Sequence, residues 1–205
     1  ERDTLANQRE RELSTVASTA SQLSARLVEL QRALRASGDQ VNAAMLTDPQ
    51  RLESFLENKP LLRGMFSNVF LASADGRMRI YADSGGVRTP AVELSDRDYF
   101  QRTLKEHRPI ISEPLPGRVS AEPVIVFTHP LTDATGVYGV IGGALRLASR
   151  DLLGDMAGLD DNDTPSLTVV TDARGRVLAH PLRRSLLQSL AGEPRLDEAY
   201  AAWAE

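Results

Sequence analysis

VIVFTHPLTDATGVYGVIGGALRL, residues 124–147, contains two apolar runs separated by a turn. The runs 124–131 and 137–147 have strand length and are rich in Val, Ile and aromatic residues. The five residues TDATG between them suit a hairpin connection, so the stretch predicts two long antiparallel strands. Alternation along the first strand puts Phe127 and His129 on one face and Val124, Val126 and Thr128 on the other. Both faces are largely apolar, so core packing is the default account of these residues.

Working outward, SNVFLAS (67–73) and RMRIYAD (77–83) predict a second hairpin, turned at Asp75–Gly76. Residues 85–90 read as loop. PIISEP predicts a short strand and PGRVSAEP a turn-rich crossing into the long strand pair. Asp48–Pro49 opens a helix that runs to about Asn58, with Pro at the first helical position. Upstream, Leu13, Val16, Ala20, Leu23, Leu27, Leu30 and Leu34 are spaced alternately three and four apart. That is a seam on one helix over residues 3–36, roughly 50 Å long, with Gly38 as its C-cap. Its C-terminal half reads as packed on the domain's own core. Its N-terminal half, ERDTLANQRERE, is too polar for burial in a monomer and reads as a dimer seam. Helix, hairpin, helix and a run of antiparallel strands make an α+β class with a PAS-like sheet, not a parallel βαβ sheet.

LSDRDYFQ, residues 94–101, poses the functional question. Ser95 can cap a helix over 96–106, and Asp96 and Asp98 suit the positive end of its dipole. Arg97 does not suit it, because a cation in the first turn opposes the dipole. Two accounts stay open: Arg97 bridges a neighbouring aspartate or a carbonyl, or it holds an anion.

The pattern then restarts. A short helix near 149–157 and the acidic linker GLDDNDTP precede SLTVVTDARGRVLAHPL. This resembles NVFLASADGRMRIYADS, with Gly76–Arg77 and Gly175–Arg176 standing 99 residues apart. The repeat predicts a second module, begun but too short to complete its sheet. The domain reading is therefore a stalk helix at 1–38, a first module at 39–157, and a linker with a partial second module at 158–205.

The 205 residues are 41% hydrophobic with net charge −4. That composition supports a packed core and argues against nucleic-acid binding. No run approaches the ~20 apolar residues of a membrane span. No cysteine is present, and His107, His129 and His180 lack metal-ligand spacing. Asp160, Asp161 and Asp163 lack the Gly and Glu of a calcium loop. No nucleophile or phosphate motif appears. Neither a metal nor a cofactor is expected, nor an activity in the domain itself.

The ordered string R-x-Y-F, I-S-x-P, G-R-x-S, P-V-I, P-L-x-D-x-x-G, G-V-x-G, which begins at Arg97, resembles a double Cache domain. The first module matches the membrane-distal half, TVVTDARGRVLAHP the start of the membrane-proximal half, and the long helix the stalk. The resemblance implies a periplasmic or extracellular sensor between flanking transmembrane helices of an inner-membrane bacterial receptor. Such a sensor reads a small molecule and drives a cytoplasmic output: a diguanylate cyclase, a histidine kinase or a chemotaxis domain. The G-R-V-S crossing leans towards the diguanylate cyclases. The resemblance also implies that Arg97 holds a ligand carboxylate and that Tyr99 walls the site. Arg118, Phe127 and His129 complete the candidate set, with a turn role for Arg118 and core packing for the other two as simpler accounts. The crossing has Leu115, Pro116 and Gly117 where amino-acid binders carry a Tyr and an Asp, so a carboxylate without an amine is the expected ligand. The alternative is a structural homodimerisation module, joined through the N-terminal helix, whose pocket has lost its use.

Overall fold

The computed structural model describes residues 2–147, 169–179 and 189. Helix α1, Arg2–Gly38, is unbroken, as its lack of internal Gly or Pro predicts. Leu30 and Leu34 are fully buried, with Leu23 and Leu27 partly so, whereas Leu13 and Val16 are 70% and 65% exposed. A 3₁₀ turn (Met45–Thr47) leads into α2, Pro49–Glu57. Asp48 caps α2 by accepting the Arg51 N–H at 3.2 Å, with Pro49 at the first position. A further short helix, α3 (Pro60–Met65), also begins on a proline.

Strands β1 (Asn68–Ser73) and β2 (Met78–Asp83) form the expected hairpin. Gly76 turns it with φ of +93°, a conformation that side chains with a Cβ rarely adopt. Residues 85–90 are not all loop: β3, Gly86–Arg88, adds an edge strand against β2. Asp83 folds back to hold Arg88 there at 2.7 Å. Helix α4 spans Asp98–Glu106, followed by β4 (Ile110–Ile111) and β5 (Leu115–Pro116). The long pair is β6 (Pro123–Asp133) and β7 (Gly136–Arg146). The sheet order is β3-β2-β1-β7-β6-β4, with β5 also on β6, and every pairing is antiparallel.

This α+β sheet separates two apolar cores. One lies under α1, α2 and α3 and contains Leu30, Leu34, Leu52, Phe66, Phe127 and Ile141. The other lies under α4 and contains Phe70, Tyr81, Tyr99, Phe100, Val124 and Val126. In β7, Gly142 and Gly143 leave room for an aromatic ring on each face. A Cβ at Gly142 would stand 2.2 Å from Phe70, and one at Gly143 2.5 Å from Phe66.

The second hairpin, β8 (Val170–Thr171) and β9 (Val177–Ala179), repeats the turn chemistry of the first. The Ser73 N–H donates to the Arg77 carbonyl, and the Asp172 N–H to that of Arg176. Gly175, like Gly76, has positive φ. The expected helix near 149–157, the acidic linker at 158–165 and His180 lie outside the described residues. Among the described residues, no helix is long and apolar enough to cross a membrane.

Candidate functional site

The approach to α4 builds the site. Before it, the chain runs antiparallel to the start of β2: the Met78 N–H donates to the Val92 carbonyl and the Leu94 N–H to that of Gly76. The backbone of Gly76 packs so closely on Ser95 that a Cβ there would come within 2.7 Å. Held in this way, Ser95 does not cap the helix. The helix begins at Asp98, and the N-cap is Arg97, extended at φ −84° and ψ 127° with no side-chain capping bond. The chain is therefore not helical at 95–97. This moves Arg97 out of the first helical turn, although as N-cap it still stands at the positive end of the helix.

A lead-in of this kind lets successive side chains diverge. Asp96 reaches outward and accepts hydrogen bonds from Arg118 on both carboxylate oxygens. That contact, with Arg118 as the main cause, holds the Asp96 carboxyl below its usual range. Arg97 is partly buried, and its Nε is enclosed with no hydrogen-bond partner. A buried donor of this kind carries an uncompensated desolvation cost. Tyr99 is buried against the sheet, and burial raises its phenol to about 12, opposed by the nearby Arg97 and Arg118 cations. Thr103 seats α4 on the strands, its hydroxyl paired with that of Thr128 at 2.6 Å.

Between α4, the sheet and residues 117–120 lies a cavity of about 30 Å³. Tyr99, Arg118, Phe70, Met78, Tyr81, Asn68, Val124 and Val126 are among the residues that line it. Arg97 stands beside Tyr99 but is not among them.

The sheet divides the five candidate residues. Tyr99 and Arg118 meet at the cavity, with Arg97 adjoining. Phe127 and His129 occupy the alternate positions of β6 and face α1 instead. Phe127 is buried edge-on to Phe66, with ring centroids 5.8 Å apart. His129 is half-buried beside Gly38, its Nδ1 without a partner, and burial lowers its pKa. The structure thus places these two on the opposite face of the sheet from the cavity that Tyr99 lines.

Sequence reading missed Tyr81 and Asn68. It also missed Met78, for a local reason. Leu71 pairs with Ile80 but Ala72 with Met78, so Arg79 is an extra residue in β2. The slip carries Met78 and Tyr81 to one face, which strict alternation would forbid. No feature of RMRIYAD announces it. No group of acidic or histidine side chains suited to a metal occurs among the described residues.

Comparison with known proteins places this geometry. The ligand-binding domain of the Pseudomonas aeruginosa PAO1 amino acid chemoreceptor PctB, solved with L-Gln, superposes with a TM-score of 0.64 at 21% identity. That match covers 87% of this chain and 70% of PctB's. The PctC domain from the same organism, solved with GABA, gives 0.63 at 22% identity, over 91% and 80%. An extracellular ligand-binding receptor from Desulfohalobium retbaense gives 0.70 at 16%, over 93% of this chain and 34% of that one. At these identities the likeness is one of fold. No curated protein sequence matches. The family model for the Cache domain matches residues 2–202, nearly the whole length, and the chain therefore belongs to the Cache domain family of sensor modules.

Proposed function

We propose that this chain is the extracytoplasmic ligand-sensing part of a bacterial inner-membrane receptor, and that the α4 side of its first module receives a small carboxylate. The observation that carries the reading is the enclosed, unpartnered Nε of Arg97 beside Tyr99. A guanidinium in that state gains most from a carboxylate, which accepts two parallel hydrogen bonds. The L-Gln and GABA of the chemoreceptor structures are both carboxylic acids, and both carry an amine as well. Here the crossing strand β5 is Leu115–Pro116, which gives an ammonium no partner, and Asp96 is already paired with Arg118. An acid without an amine fits best.

The test has two steps. A thermal-shift screen of small mono- and dicarboxylates selects the best ligand, since binding to the folded state raises its melting temperature. That ligand is then titrated against Arg97→Ala, with a circular dichroism melt as the folding control. Losing a charge-assisted bidentate contact should weaken binding ~10- to 150-fold. Unchanged affinity in a folded variant would move the site elsewhere.

A second reading, a structural dimerisation module, is favoured by the size of the cavity, which at about 30 Å³ holds little more than one water. A screen in which no carboxylate shifts the melt would support it. For the output, the G-R-V-S stretch at 117–120 favours a diguanylate cyclase over a histidine kinase. The coding sequence downstream of residue 205 in its gene tests that choice directly.

A further inference from the structure

A second cavity, of about 280 Å³, opens where three elements meet. Leu23 and Leu27 of α1 form one wall, Ile111 and Ile125 of the sheet another, and Val170 and Leu178 of the β8–β9 hairpin the third. Ile125 belongs to the larger core, and Leu23, Leu27 and Leu178 pack against it. The sheet therefore separates this cavity from the one under α4. Leu23, Leu27, Val170 and Leu178 are each only partly buried, and Ile111 is 42% exposed. Covering them takes further apolar surface out of water, which favours binding.

Four polar side chains also line the cavity, and each is already satisfied within the wall. The Ser112 hydroxyl donates to the Glu113 carbonyl at 2.7 Å and accepts the Val126 N–H at 2.8 Å. The Glu113 carboxylate accepts from Arg176 at 2.9 Å and from Arg174 at 3.2 Å. Asp172 accepts the backbone N–H groups of Arg174 and Arg176, and the Arg176 Nε at 2.8 Å. The two carboxylates and two guanidiniums cancel. None of the buried unpartnered polar atoms among the described residues lines this cavity, in contrast to Arg97 beside the other. An ion entering here loses its water and finds no free partner. At packing densities between those of a liquid and a protein interior, the volume holds roughly ten to fourteen non-hydrogen atoms.

We propose that this junction is a second ligand site, for a neutral, largely apolar molecule of about that size, such as one built on a single aromatic ring. Because α1, the sheet and the hairpin each supply a wall, the bound molecule ties the hairpin to the other two. The inference does not rest on the carboxylate reading, which concerns the opposite face of the sheet.

Three probes of one shape and different charge test it on the full chain: cinnamyl alcohol, cinnamate and cinnamylammonium, each titrated by calorimetry. The alcohol should bind at least about tenfold tighter than either ion. In wild type, the methyl resonances it shifts should be those of Leu23, Leu27, Ile111 and Leu178, not those of Val124 and Val126, which line the other cavity. Ile111→Trp and Leu27→Trp fill the space from two separate walls, and each should weaken binding by about tenfold or more, the scale of overpacking. A circular dichroism melt identifies the folded variants, and the methyl shifts need no variant at all. Tightest binding by cinnamate, shifts centred on Val124 and Val126, or undiminished affinity in a folded tryptophan variant would each overturn the site. So would failure of all three probes to bind; if Ile111→Trp then dispersed a dimer in sedimentation, the cavity would belong to a second copy of the chain.

Discussion

Gly142 shows how narrowly some single positions are constrained. Its missing Cβ leaves the space that the Phe70 ring fills, and that ring lines the cavity. Gly142→Ala should destabilise the fold by about 1–3 kcal/mol, the usual cost of overpacking, read as a lower midpoint in urea unfolding. Asp83 gives a prediction in pH. The Arg88 hydrogen bonds, as the largest cause, lower its carboxyl from 3.8 to about 2. A depressed folded-state pKa contributes stability above the unfolded value of 3.8 and loses it as pH falls towards 2. Asp83→Asn should therefore be less stable than wild type near neutrality, with the difference shrinking between pH 4 and pH 2 in acid titrations of the melting temperature. At this scale the sequence was legible where charge broke a local rule. Arg97 stood out because a helix start does not want a cation. Met78 did not, because the extra residue at Arg79 that turns it to the cavity face is a property of strand pairing, not of composition.

Helix α1 is one element with two environments. Leu34→Ala should cost about 2–5 kcal/mol, because it empties a fully buried site in the larger core. Leu13→Ala, on the same seam, should shift the monomer's stability by less than about 0.5 kcal/mol, because the side chain is already in solvent. Paired thermal melts at low protein concentration compare the two. The seam's spacing was readable in advance; where burial begins was not, since a heptad pattern does not say which turns find a partner. Elements of two or three residues escaped for a different reason. Strand β3 exists because Asp83 reaches back to Arg88, and the late start of α4 because Gly76 packs on Ser95. Both are contacts between residues that propensity treats separately.

For the whole molecule, the α+β architecture followed from pattern alone: two hairpins, a capped helix and a long apolar seam. The separation of Phe127 and His129 from Tyr99 was also implicit in the alternation of β6, once the sheet is seen to be covered on both faces. Association is the prediction at this scale. The exposed Leu13 and Val16 sit on an otherwise charged surface, so the chain should sediment as a monomer or weak dimer. Any dimer should be lost in Leu13→Asp/Val16→Asp, and a tight dimer that survives both substitutions would place the interface elsewhere.

The two environments of α1 also have a mechanical consequence. Leu23 is the first residue of the helix that packs on the core, so about twenty residues before it project without support from the described fold. At 1.5 Å per residue this arm is roughly 30 Å long, and a tilt of about 5° at its base displaces its tip by ~3 Å. The arm is a lever whose fulcrum lies at the edge of the larger core. A repacking too small to break any hydrogen bond at Leu30 or Leu34 would become, at the N-terminal end, a displacement of nearly a bond-length pair.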